Sequence, residues 1–375
     1  MPLAASARMT PASRRVPVVV LTGFLGAGKT TLLRQVIAEG ALSNTAILIN
    51  EFGEVGIDHH LIREVRGNTV LLGGGCACCA VHGDFVRAMV ELYSQAARGE
   101  GPRYDRVILE TSGIADPTTL VAALSQHRVL AAAFELQAVV TVVDAVLGAE
   151  TLRVHPEAAK QVALADRIII SKCDAATAAQ RHHAIAVARQ CNPLAPIVEP
   201  SADAARAPLL TELATMMHQP PNATPRAADP EACGEHCAAL DHAHPPQRQQ
   251  AERHHHHASA GAAHFITTAA VYFAGPVRPG PLSMWLSIMT QMHGEKLLRI
   301  KGIVRLDVEQ RDSTGAAPAY ELHCVQHLVY PARALPAWPD ADPRNRLVFI
   351  ARGMSQQMLD GLARNLVETL GNPLS

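Results

Sequence analysis

Gly23-Phe-Leu-Gly26-Ala-Gly28-Lys29-Thr30 follows the apolar run Val16 to Leu21 and opens an amphipathic segment with Leu33, Val36 and Ile37. It fits G-x-x-x-x-G-K-[ST] in full. A strand, a glycine loop and a helix start are what a phosphate cradle requires. Gly23, Gly26 and Gly28 let backbone N–H groups turn inward, the helix N-terminus adds positive potential, and Lys29 reaches the β/γ-phosphates. Thr30 is the natural Mg²⁺ ligand, and Thr31 follows it on the same nucleotide-binding turn. A chance glycine-rich turn would not bring the lysine and threonine to this junction together.

Two later strand tips extend this chemistry. Val107-Ile-Leu-Glu110-Thr-Ser-Gly113 sets a carboxylate at the end of an apolar run and a glycine three residues on. There an acid can hold a Mg²⁺-bound water and a backbone N–H can meet the γ-phosphate. In Ile168-Ile-Ile-Ser171-Lys172-Cys-Asp174, the carboxylate can accept from guanine N1–H and the exocyclic amine while the lysine stem packs on the base. Adenine lacks that amine and offers an acceptor at N1, so the site selects GTP. Ser171 stands where many GTPases have asparagine.

Cys76, Cys78 and Cys79 form a separate constellation behind Gly73, Gly74 and Gly75. Adjacent side chains on a strand point apart, so three thiolates converge on one ion only through a sharp turn, which the glycines permit. Three sulfurs leave a tetrahedral Zn²⁺ one ligand short, as suits an ion meant to leave; Glu54, His82 or water could complete it. Thiolates favour Zn²⁺ or Cu(I), and Co²⁺ and Ni²⁺ also fit such a pocket. The alternative is a set of buried structural cysteines or a redox pair.

These groups need a scaffold. The chain has 375 residues, 48% of them apolar, enough for two cores. A net charge of −1 and a pI near 7.0 give no footprint for nucleic acid or an acidic membrane surface. No apolar run is long enough to span a bilayer. Residues 1–15, with Arg8, Arg14 and Arg15, read as a short flexible start faintly similar to a transit peptide. Eight unevenly placed cysteines fit a reducing, cytoplasmic compartment better than a disulfide framework. Lysine is rare, five against twenty-eight arginines, yet Lys29 and Lys172 both fall in nucleotide motifs.

Apolar, β-branched runs recur at Thr45 to Ile49, Thr69 to Leu72, Tyr104 to Glu110, Ala138 to Asp144, Asp166 to Ser171 and Pro196 to Val198, most of them separated by helical patterns. This alternation predicts an α/β fold over residues 16–217, a doubly wound, mostly parallel P-loop NTPase sheet with ligands at its carboxyl edge. The polar segment Asn50 to Asp58 after the second strand sits where P-loop GTPases carry a γ-phosphate-sensing switch.

Residues 218–263 dissolve into Pro, Ala, Gln and His, including His236, His242, His244 and the run His254 to His257. This reads as a linker, either a loose metal-collecting tether or a simple solvated one. Residues 264–375 predict a smaller α+β domain. Its strands are His264 to Phe273, Leu297 to Leu306, Tyr320 to Val329 and Leu347 to Ala351, with a helix from Pro281 to Met292 and a closing helix marked by Met354, Met358, Leu362 and Leu366. In the second strand, Leu298, Ile300, Val304 and Leu306 share the buried face, and Arg299, Lys301 and Arg305 the other. Cys324 alternates into the core, leaving His323 and His327 on the wetter face.

The phosphate loop, the Asn50-Glu-Phe-Gly-Glu54 segment, the cysteine cluster, Glu110-Thr-Ser-Gly113 and Ser171-Lys-Cys-Asp174, in this order, resemble the CobW-like branch of metallochaperone GTPases, near its zinc-transfer members. Gly294 to Gly302 resembles the CobW C-terminal domain. The resemblance implies GTP hydrolysis coupled to delivery of zinc from Cys76, Cys78 and Cys79 to a client metalloprotein, with the C-terminal domain recognising the client or closing over the GTPase domain. Some relatives have a glutamate where this chain has Ile49, so a carboxylate-rich metal site is not carried over intact. Rival readings are insertion of cobalt or another metal, as for cobalamin-related enzymes, and a nucleotide-stabilised metal store or sensor. A P-loop kinase acting on ATP is disfavoured by Asp174.

Overall fold

The computed structural model describes residues 15–38, 42, 44–49, 70–73, 81–99, 104–199, 266–309, 317–335, 337–340 and 342–371, with only the backbone of 70–73 and 81–84. The cysteine cluster, Glu54, the side chain of His82 and the histidine-rich segment lie outside the described residues.

The N-terminal half runs β1 (Val16–Gly23), α1 (Lys29–Ala38), β2 (Thr45–Ile49), β3 (Val70–Gly73), α2 (Val81–Arg98), β4 (Arg106–Glu110), α3 (Pro117–Gln126), α4 (Arg128–Ala133), β5 (Phe134–Asp144), α5 (Gly148–Val154), α6 (Pro156–Ala163), β6 (Arg167–Ser171), α7 (Ala178–Cys191) and β7 (Ile197–Val198). Its strands form one seven-stranded sheet, ordered β3-β2-β4-β1-β5-β6-β7. Every pair is parallel. Val18 and Val20 enter one layer with Met89, Leu120 and Leu124, while Val19 and Leu21 enter the other with Leu33, Val36 and Ile47. A central strand buried on both faces must be apolar throughout, which is why its sequence does not alternate. Helix starts follow from their caps. Asp116 accepts from the Thr118 N–H ahead of Pro117 in α3, and Thr177 and Gln180 form a capping box on α7. This is the P-loop NTPase fold expected.

The C-terminal half runs β8 (Ile266–Phe273), α8 (Pro279–His293), β9 (Leu297–Arg305), β10 (Ala319–Val325), β11 (Leu328–Val329), β12 (Arg333–Ala334), β13 (Asn345–Arg352) and α9 (Gln356–Leu370). The strands make a six-stranded antiparallel sheet, β11-β10-β9-β13-β8, with β12 also paired to β10. Helices α8 and α9 cover one face, packing Trp285, Leu286, Leu359 and Leu366 on Phe273, Ile300 and Phe349. From the other face Leu298, Val325, Val348 and Ile350 join Leu130, Phe134 and Leu164 of the N-terminal half, so the two halves share a core.

That shared core overturns several expectations for this half. Arg299 is 2% exposed, not solvated. Its guanidinium donates to the Leu164 carbonyl and pairs with Asp166. Lys301 reaches Asp166 at 3.1 Å and Glu321 at 3.2 Å. Burial alone would raise the Asp166 pKa, but Arg299 and Lys301 hold its carboxyl well below the usual carboxylate range. His323 stays on the face opposite Cys324 and is partly buried, stacking on Tyr330 at 5.0 Å, and burial with the Arg299 charge pushes its pKa down to about 3. Leu298 does not share a face with Ile300, because the β9–β13 register shifts where Arg299 pairs Ile350 and Leu297 pairs Ala351. Tyr320 to Val329 is not one strand: Gln326, at φ +49°, turns the chain so that β11 folds back on β10. In α9 the buried stripe is Leu359, Ala363, Leu366, Val367 and Leu370, while Met358 is 41% exposed. Leu164 and Asp166 lie just before β6, so these contacts seat the C-terminal half at the amino ends of the parallel strands, not over the phosphate loop.

Candidate functional site

At the carboxyl edge of the sheet, β1 ends in Gly23 at φ +143°, and Gly26 and Gly28 also hold positive φ. A Cβ on Gly23 would lie 2.4 Å from the Val142 carbonyl oxygen, so strand packing and the turn both demand glycine. Lys29, 8% exposed, donates from Nζ to the carbonyls of Gly23 at 2.9 Å and Phe24 at 3.3 Å. This places its ammonium at the mouth of the loop. Thr30 donates to Glu110 Oε1 at 2.5 Å, bringing together two candidate residues 80 positions apart. Thr31 is exposed in the same helical turn. On the next strand tip, Thr111 donates through its N–H to Leu21 O at 2.9 Å and through its hydroxyl to Thr22 Oγ1 at 2.8 Å. Gly113 then lies so close to the phosphate loop that a Cβ there would be 2.5 Å from Leu25 N.

The base side is equally local. Ser171 donates to the Ala27 carbonyl at 2.6 Å, tying the tip of β6 to the phosphate loop. Lys172, at φ +55°, pairs with Asp144 Oδ2 at 2.7 Å. Burial opposes ionisation of Asp144, but hydrogen bonds from Lys172 and from the N–H groups of Val146 and Leu147 outweigh it and keep the carboxyl below its ordinary range. Asp174 is exposed at the rim, just behind the turn closed by Ala175 N–H to Lys172 O at 3.1 Å. The structure therefore gathers Gly23, Gly26, Gly28, Lys29, Thr30, Glu110, Gly113, Ser171, Lys172 and Asp174 along one sheet edge.

Sequence reasoning missed Asp144 and the supports beneath Gly113. Asp144 ends an apolar strand, as Glu110 does, and that parallel was a usable signal. Lys160 pairs with Asp116 at 2.5 Å, so the scarcity of lysine pointed to more residues than the two in motifs. Gln161 carried no sequence signal.

Among the described residues no helix is long and apolar enough to cross a membrane, and no group of three His, Cys, Asp or Glu is placed to hold a metal. Residues 17–199 match the profile of the CobW/HypB/UreG nucleotide-binding domain, and 266–366 that of the cobalamin synthesis protein CobW C-terminal domain. The chain is 38% identical over 168 residues to the zinc chaperone YjiA of Escherichia coli, covering 45% of this chain and 52% of that protein. It is 33% identical over 195 residues to the zinc-regulated GTPase metalloprotein activator 1 of Schizosaccharomyces pombe, covering 49% and 45%. The chain thus spans about half the length of the curated relatives it matches. The crystal structure of Zn(II)-bound YjiA GTPase from E. coli aligns over 94% of this chain and 99% of its own, with a TM-score of 0.63 and 25% identity. With both profiles matched in order on a phosphate-loop sheet and an antiparallel C-terminal sheet, the chain belongs to the CobW/HypB/UreG family and carries the CobW C-terminal domain.

Proposed function

We propose that this protein is a GTP-hydrolysing metallochaperone that takes zinc as cargo at Cys76, Cys78 and Cys79 and passes it to a client metalloprotein. The observation that carries the nucleotide half is the 2.5 Å contact between Thr30 and Glu110 beside the phosphate loop. Two hard oxygens at the tips of neighbouring elements fit Mg²⁺, which when bound there would offset the charge developing on the transferred phosphoryl group. Lys29 supplies a cation to the β/γ-phosphates, Gly113 offers an N–H to the γ-phosphate, and Asp174 reads the guanine edge with Lys172 beneath the base.

The zinc half is supported by relatives named zinc chaperones and by the chain path. Ile49 pairs in register with both Glu110 and Gly73. Gly73 therefore lies two strand spacings, about 10 Å, from Glu110. The cysteines begin three residues beyond it. A segment that orders around the γ-phosphate at this edge must alter the surroundings of the thiolates.

Zinc titrated against a competing chelator, first with a non-hydrolysable GTP analogue and then with GDP, tests the coupling. Affinities differing roughly 5–150-fold are expected, the range of ordinary allosteric coupling. The Cys76→Ser, Cys78→Ser double variant should lose the tight site. Identical affinities in the two nucleotide states would overturn the reading in favour of a metal store, and a tight site surviving the double variant would overturn the assignment of the cysteines and move the site to the histidine-rich segment.

A further inference from the structure

Helix α6 stands directly behind the loop that bears Gly113. Its Gln161 is fully buried, at 0% exposure. The side-chain amide donates to two carbonyls of that loop, Gly113 at 3.2 Å and Ala115 at 3.0 Å. The Gln161 backbone carbonyl accepts from Thr141 Oγ1 of β5 at 2.9 Å, so the residue is itself held to the sheet. One residue earlier, the 7% exposed Lys160 pairs with Asp116 at the end of the same loop. Asp116 uses its other oxygen to cap α3 through Thr118 N–H at 3.0 Å.

The chemistry fits only an amide. Two carbonyl oxygens converge on one buried position, and a side-chain NH₂ supplies two donors without a charge. The reverse orientation of the amide would set oxygen against oxygen, so the contacts fix which end faces the loop. The Cβ position of Gly113 abuts the Leu25 backbone. Gly113 is therefore held by two neighbours, the phosphate loop at its Cα and Gln161 at its carbonyl.

We propose that Gln161 is a positioning residue for the γ-phosphate. By fixing the carbonyls of Gly113 and Ala115 it aims the Gly113 N–H, and it thereby sets how strongly the protein distinguishes GTP from GDP; Lys160 and Asp116 brace the far end of the loop. This rests on the role given to Gly113 under the proposed function. GDP has no γ-phosphate, so its binding does not use the aimed N–H.

The test compares wild type with Gln161→Met, which keeps the length and loses both donors, and with Asp116→Asn, which keeps the cap on α3 and weakens the pairing with Lys160. Affinities for GDP and for a non-hydrolysable GTP analogue are measured alongside kcat, KM and thermal midpoint, using the full chain. Expected for Gln161→Met is a GTP-analogue affinity and a kcat each roughly tenfold lower, the worth of one or two hydrogen bonds, with GDP affinity unchanged. Asp116→Asn should show a smaller loss of the same selectivity, which carries the test if Gln161→Met fails to fold. Equal losses for GDP and the GTP analogue, or no loss for either, would overturn the proposal. A wild type that does not hydrolyse GTP would strike the functional reading itself, whereas a competent wild type matched by Gln161→Met would strike this inference alone.

Discussion

Ser171 replaces the amide that many GTPases use at the tip of this strand, and its hydroxyl reaches the Ala27 carbonyl at 2.6 Å. One hydrogen bond to the phosphate loop is thus present where an asparagine would offer more than one group. On the proposed reading base selection then falls on Asp174, which is exposed at the rim, while Lys172 pairs with Asp144. Replacing Asp174 by Ala removes a charged acceptor for two guanine donors, worth about 1.5–3 kcal/mol. GTP affinity should fall at least roughly tenfold while ATP affinity changes little. Competition binding of the two nucleotides checks this, and a parent protein that binds ATP as well as GTP would refute the assignment of Asp174.

Among the elements, α6 has the most demands on it, because its last turn both braces the Gly113 loop through Lys160 and Gln161 and meets the C-terminal half at Leu164. Its own end is closed by a residue on a different helix. Asn192, 1% exposed, caps α7 and donates to the carbonyls of Val162 at 2.9 Å, Ala163 at 3.3 Å and Ala165 at 2.9 Å. Its Oδ1 accepts from the N–H groups of Leu194 and Ala195, each at 3.1 Å. The last carbonyls of a helix have no partner within it, and buried ones must find one elsewhere. Asn192→Leu leaves several of these groups unmade in an apolar setting and should destabilise by about 2–4 kcal/mol. Urea denaturation reads this as a lower midpoint; a change under about 0.5 kcal/mol would mean that water replaces the amide.

For the whole molecule, the decisive contact is Arg299 of β9 against Asp166 and the Leu164 carbonyl, just before β6. It joins the two sheets at the pole opposite the phosphate loop. Beside it a cleft of about 720 Å³ opens, and its rim charges pair with one another, Arg15 with Glu135 and Lys301 with Glu321. Arg299→Met would remove a partner from a nearly buried carboxylate, a change that typically costs about 3–5 kcal/mol. Adding Asp166→Asn should recover part of that loss by removing a charge then paired with Lys301 alone. Denaturation of the single and double variants measures the coupling. With the seam intact the two halves should unfold in one transition, and with Arg299→Met in two; an unaltered single transition of unchanged midpoint would show that the shared apolar core alone joins them.

The sequence by itself determined the phosphate loop, the alternation of strands and helices and the groups at the tips of β4 and β6. Each of these is a local matter. Glycine is required where φ is positive, a strand buried on both faces must be apolar, and Lys29 and Thr30 follow the loop within one helical turn. What only the tertiary structure decided is which polar groups are buried and against whom. Arg299 lies in a stretch that alternates like a half-exposed strand, and its partner Asp166 is 133 residues away. Gln161 sits on an ordinary amphipathic helix, and its acceptors are 48 and 46 residues away. His323 reads as a wet position, and only the fold brings the Tyr330 ring to stack on it. Side-chain periodicity reports which face of an element is apolar; whether the polar face meets water or a second sheet depends on packing between distant segments, which no local spacing encodes.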